Sequence, residues 1–224
     1  MRTIHDAAMT AAAALLLSAC ATAPKPAGTW EGLELYPQKK FDAVYLRPHA
    51  NLARYSEIML DPLEVSFDRN WNPNPTSAGL QRVDTARIKR ALADEFRKVF
   101  TEVLSADGKY RIVGESGPAT LHITPEIIDL YINAPDVSLS TAGSVRMYTV
   151  EPGRMTLAAE FRDGASGTLL ARVVDRKEGV DRGYLQITNA VTNLADARQV
   201  MARWARTIRE GLDTARAMAG ASGN

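Results

Sequence analysis

Cysteine is almost missing from this chain. Its single residue, Cys20, rules out disulfide stapling within the monomer. Histidine is nearly as scarce: His5, His49 and His122 stand far apart, none with a partner at ligand spacing, so a metal site lacks its usual donors. An excess of either charge is also missing, with 27 Lys and Arg against 26 Asp and Glu for a net +1. That balance argues against a nucleic-acid partner, which calls for a net basic field. No apolar run approaches the twenty or so residues of a membrane-spanning helix. Also absent are a nucleophile elbow, a zinc-protease helix motif and a glycine loop that could cradle phosphate. The expectation is therefore no catalytic, cofactor-binding or metal-binding residue.

What is present begins with Cys20 itself. It closes Leu17-Ser18-Ala19-Cys20, behind a basic start at Arg2 and an apolar stretch from Ala7 to Leu17. Residues 1–19 read as a secretory signal with small residues at the cut. The run resembles a bacterial lipobox, and the resemblance implies that the Cys20 thiol receives a diacylglycerol before cleavage and N-acylation. Each buried methylene adds about 0.8 kcal/mol, so three acyl chains make a lasting anchor. In Gram-negative lipoproteins the next residue biases sorting, and Ala21 rather than aspartate points to the outer membrane. The partner implied at this end is the membrane, through the N-terminal lipid.

Without its first nineteen residues the chain keeps about 205, enough for one domain with a real core. Residues 20–35 read as the lipidated cysteine and a flexible tether, punctuated by Pro24 and Pro26. Counted to Pro37, its seventeen residues reach roughly 50 Å at about 3.1 Å each. Residues 36–220 form the single domain, and 221–224 a disordered tail.

Within the domain, Tyr36 to Pro48 reads as an extended arm or edge strand, and Ser56 to Phe67 as a strand region in which Pro62 suggests an edge position or a bulge. Asp84 caps a helix whose Ile88, Leu92, Phe96, Val99 and Val103 recur at helical spacing, ended by Gly108. Tyr110–Val113 and Ala119–Ile132 are strands. Met155 to Val173 forms a hairpin centred on Ala165, pairing Phe161 with Leu169, Ala159 with Ala171 and Leu157 with Val173. A last helix enters near Asn193 and buries Leu194, Ala197, Met201, Trp204, Ile208, Leu212 and Ala215. Its arginines read as a solvated face. The elements specify an α+β fold: a two-layer domain, mostly antiparallel sheet with two long helices packed on one face.

Asp61, Glu64, Glu126, Asp129 and Glu160 are acidic candidates on strands, where the solvent face of a one-sided sheet is their ordinary place. Trp71, in Asn70-Trp71-Asn72-Pro73-Asn74-Pro75, is either an exposed recognition residue or a lid on the core. Residues 133–152 form a long connection, of which 145–150 could extend a strand.

Tyr36-Pro37, Tyr55 to Pro62, Phe161-Arg162-Asp163 with Ser166-Gly167, and Val174-Asp175-Arg176 resemble a bacterial lipoprotein family known as domain-of-unknown-function family 3313. The resemblance covers nearly all of the mature chain and implies an envelope location, with no assigned activity. Two readings follow. One is a non-enzymatic outer-membrane lipoprotein whose domain binds an envelope protein or a second copy of itself. The other is a carrier or enzyme for an envelope amphiphile, with a pocket lined by residues such as Phe96, Leu157 and Trp204.

Overall fold

The computed structural model describes residues 28–71, 84–132, 147–149, 153–178, 186–188 and 190–221. Residues 1–27, with Cys20 and His5, lie outside them, as do most of 133–152 and the tail from 222.

The sheet is built around one long strand. β1 (Thr29–Trp30), β2 (Leu33–Leu35), β3 (Ala43–Leu46), β4 (Glu57–Leu60), β5 (Glu64–Phe67), β6 (Arg111–Val113), β7 (Thr120–Leu130), β9 (Arg154–Asp163) and β10 (Leu169–Glu178) make nine strands. Their order is β1-β2-β3-β10-β9-β7-β4-β6, with β5 beside β7. Two short strands, β8 (Met147–Thr149) and β11 (Gln186–Thr188), pair with each other as a separate ribbon. Part of the long connection is thus a strand, as the expectation for 145–150 allowed.

The sheet is mixed. The side from β1 to β7 is antiparallel. β4 and β6 are parallel to each other, and β4 and β5 are both parallel to β7. Helix α1 (Thr85–Ser105) lies between β5 and β6 in the chain, and parallel neighbours require such a crossover. Asp61-Pro62-Leu63 separates β4 from β5, so the expected single strand is two, both laid along β7. Proline has no N–H for a ladder, and the chain uses it at the break.

Four further boundaries differ from the expectations. Thr29 to Leu35, assigned above to the tether, is a hairpin: Glu31 and Gly32 have φ of 45° and 78°, the left-handed pair of a tight turn, and Leu33 is fully buried. Once this hairpin covers one side of β3, that strand is interior, flanked by β2 and β10, not an edge. The β9–β10 hairpin keeps its expected faces except at Leu169, which joins Leu33, Ala43 and Tyr45 while Leu170 enters the main core. It does not keep its pairs: Phe161 lies opposite Ala171, Ala159 opposite Val173 and Leu157 opposite Asp175. An irregularity between Leu169 and Ala171 shifts the register, and a two-residue shift preserves which side faces the core. Finally, α2 spans Ala190–Ala221, so Asn193 sits inside the helix instead of capping it.

Both helices pack on one face of the sheet. The Asp84 carboxylate accepts the Arg87 N–H at 2.9 Å and caps α1. Gly108, with φ of 73°, ends it by donating to the Ser105 carbonyl at 3.0 Å. Leu92, Phe96, Val99, Phe100 and Leu104 of α1 join Ala197, Met201, Trp204, Ala205, Ile208 and Leu212 of α2 over Ile58, Leu121, Ile123, Ile127, Leu157 and Phe161. A smaller cluster of Leu33, Ala43, Tyr45 and Leu169 lies apart from this core.

Candidate functional site

Strand alternation gives the sheet two chemically different faces. On β7, Leu121, Ile123 and Ile127 point to the helices, so His122, Thr124 and Glu126 point away. On β9 the outward set is Arg154, Thr156, Ala158, Glu160 and Arg162, and on β10 it is Arg172, Val174 and Arg176. The register places His122 beside Arg162, Thr124 beside Glu160, and Glu160 beside Arg172.

These neighbours form a charged lattice. Glu160 takes Arg172 Nη1 on one oxygen at 2.6 Å and Arg162 Nη2 on the other at 2.7 Å. The Arg172 guanidinium lies 4.2 Å from the centre of the Trp30 ring. One strand further, the Thr124 hydroxyl donates to Asp61 at 2.9 Å, and His122 Nε2 lies 2.8 Å from the same carboxylate without hydrogen-bond alignment. At the far end Arg154 donates to Asp68 at 2.6 Å and covers the Tyr131 ring, while Arg176 sits 3.7 Å from Asp129. The Arg154 hydrogen bond holds the Asp68 carboxyl below its ordinary range and raises the guanidinium in turn.

The lattice is incomplete. Among the described residues, five buried side-chain atoms lack a hydrogen-bond partner: His122 Nε2, Asp129 Oδ1, Arg154 Nε, Thr156 Oγ1 and Arg172 Nε. All five belong to the face turned away from the helices. A buried polar atom left unpaired costs about 1–3 kcal/mol, more when charged, and native proteins nearly always satisfy it.

The helix-facing side closes its polar groups. Asp175 is fully buried, and its carboxylate accepts the Trp204 indole N–H at 2.6 Å, the Asp42 N–H at 3.1 Å and an ion pair from Lys177 at 2.6 Å. Asp163 accepts from the Tyr55 hydroxyl at 2.7 Å, Ser166 N at 2.7 Å, Ser166 Oγ at 2.9 Å and Ala165 N at 3.2 Å. The Tyr55 bond, then the Ser166 bonds, hold the Asp163 carboxyl at about 2. Burial, then the bond to Asp163, pushes the Tyr55 hydroxyl to about 12.

The five acidic candidates separate accordingly. Asp61, Asp129 and Glu160 each face a basic side chain. Glu64 and Glu126 are neighbours in the parallel ladder, the one pair that register brings together. Among the described residues no group of three or more His, Cys, Asp or Glu is placed to hold a metal ion. Trp71 is a lid rather than an exposed recognition residue: its ring stacks on Phe67 at 4.2 Å and its indole donates to the Ile132 carbonyl at 2.8 Å. Phe96, Leu157 and Trp204, nominated to line a pocket, are at most 1% exposed within the main core. His49 occupies a turn with φ of 62°. Sequence reasoning passed over Trp30, Tyr55, Asp163, Arg172 and Asp175. Of these, Tyr55, Asp163 and Asp175 had a signal, standing within the quoted family motifs.

A family model described as "Protein of unknown function (DUF3313)" matches residues 31–208. No curated protein sequence matches. Among solved structures, the PelC dodecamer of Paraburkholderia phytofirmans is 11% identical, covering 73% of this chain and 96% of its own, with a TM-score of 0.37. A Xanthomonas campestris protein of family DUF330 is 11% identical, covering 74% and 89%, with a TM-score of 0.43. A candidate lipoprotein of Caulobacter crescentus is 14% identical, covering 76% and 93%, with a TM-score of 0.29.

Proposed function

This chain belongs to the DUF3313 family of proteins of unknown function, and on that premise we propose that it is a lipid-anchored envelope protein with a non-enzymatic, partner-binding domain. Cys20 carries the lipid, and the periplasmic face of the outer membrane is the location. The partner is an envelope protein or a second copy of this chain, received on the outward face of the sheet.

One observation carries the partner reading: the outward face presents a lattice of partly exposed charged side chains, Glu160, Arg162 and Arg176 among them, that neither helix covers. A polypeptide surface of complementary charge would pair with the exposed part of that lattice. Strand addition is a weaker mode here, because the terminal strands β1 and β6 have only two and three residues.

Two experiments test the two halves. Replacing Cys20 with serine should abolish acyl labelling and membrane retention; unchanged retention would overturn the anchor. A photo-crosslinker placed at Thr124, on the outward face, should give a reproducible protein adduct in intact cells, whereas one at Lys98, on α1, should not. Absence of any adduct or oligomer from Thr124 would remove the partner reading.

A further inference from the structure

The folded chain begins much closer to Cys20 than its prolines suggested. Leu35 N–H donates to the Gly28 carbonyl at 3.0 Å, which fixes the point where the tether leaves the domain. Only residues 21–27 remain between that point and Cys20, a reach of about 25 Å at roughly 3.1 Å per residue. The β1–β2 hairpin is therefore held within about 25 Å of any membrane in which Cys20 is embedded.

That hairpin end is also where aromatic surface collects. Four large hydrophobic side chains are exposed among the described residues: Trp30, Tyr36, Ile128 and Met218. Two of them, Trp30 at 38% and Tyr36 at 47%, flank the exit, Trp30 in β1 and Tyr36 directly after Leu35. Trp30 is held in place from behind by Arg172 at 4.2 Å and by the tilted Tyr45 ring at 6.5 Å. Tryptophan and tyrosine are the side chains that settle at the boundary between headgroups and hydrocarbon, since each has an apolar body and a polar tip. Glu31 and Glu34, on the same hairpin, give no reason to favour acidic lipid.

We infer that Trp30 and Tyr36 form a second, non-covalent membrane contact: the tether-exit edge rests in the headgroup layer of the bilayer that holds Cys20 and sets the domain's orientation there. The inference rests on the Cys20 anchor, and its test separates the two. Because Cys20 is the only thiol, the chain from Cys20 onward can be coupled to a maleimide lipid in phosphatidylcholine vesicles, whether or not cells acylate it. With a headgroup-proximal spin-labelled lipid present, tryptophan emission should fall by up to about a third, one indole of the three entering the interface. The fall should vanish in Trp30→Phe and be unchanged by added phosphatidylglycerol. Emission unaffected by the quencher, or equally quenched in Trp30→Phe, would overturn the contact. Emission insensitive to the quencher but changing with protein density would place a second copy there and overturn it as well. Loss of acyl labelling at Cys20 in cells, with quenching retained on vesicles, would remove the anchor and leave the contact standing.

Discussion

The two faces of the sheet solve the same problem to different degrees. Under the helices, Asp175 and Asp163 are buried carboxylates, yet each meets several donors and the apolar packing around them is continuous. On the outward face, Glu160 and Asp61 are partly exposed and paired, but five buried polar atoms of the described residues there have no partner. The first face has met its polar demands within the chain. Among the described residues the second has not, and its partly exposed charges, Arg162 and Arg176 among them, are the groups that another surface can reach.

That contrast can be attacked from its strongest side. Trp204→Ala should cost roughly 3–5 kcal/mol in urea unfolding, since it opens a core cavity and leaves Asp175 without its indole donor. A loss below about 1 kcal/mol would mean that the helix-facing side is not the stabilising one. Gly164→Ala comes next, at about 1–3 kcal/mol, because an added Cβ would lie 2.7 Å from the Thr120 carbonyl oxygen. Tyr55→Phe should cost about 1–2 kcal/mol near neutral pH by removing the donor to Asp163.

The pH dependence of that last difference has a defined shape. Asp163 titrates lower in the fold than unfolded, so its contribution is present above about pH 4 and fades as pH falls through about 2. Tyr55 titrates higher in the fold, so its contribution is full below about pH 10 and fades as pH rises through about 12. The gap between wild type and Tyr55→Phe should therefore be flat from about pH 4 to 10 and narrow outside it. A gap that widens towards acid would contradict the assignment.

The smallest effects belong to the other face. Glu160→Gln should change stability by less than about 1 kcal/mol, since its partners are partly solvated, yet it should reduce the Thr124 crosslink. Arg111→Ala, whose side chain is 74% exposed beside Glu57, should leave both readouts unchanged. If Glu160→Gln destabilised the protein as much as Trp204→Ala, the distinction between the faces would fail.

Local signals account for most of what could be read in the sequence. The Asp84 cap, the helical stripes and the inward faces of β9 and β10 follow from residues a few positions apart, and the two-layer α+β arrangement follows from them. The Glu31-Gly32 turn between Trp30 and Leu33 was also local, and the prolines upstream drew the tether boundary past it. Parallel pairing of β4 and β5 with β7 was less legible, because it depends on where α1 carries the chain. The lattice was hidden for the same reason: Glu160 with Arg172, or Asp61 with His122, becomes a neighbour only through register. Cys20 is the opposite case, a lipidation site proposed from adjacent residues alone.

Asp175 also has a bearing on the order of events in time. Its carboxylate joins the backbone at Asp42 to the indole of Trp204, so one buried charge requires both an early segment and the final helix. A chain still lacking α2 would hold that charge without its nearest donor and would leave Ile58, Leu121 and Phe161 uncovered. The domain should accordingly stay open until its C-terminal helix arrives, so folding waits for the last part of the chain to be made.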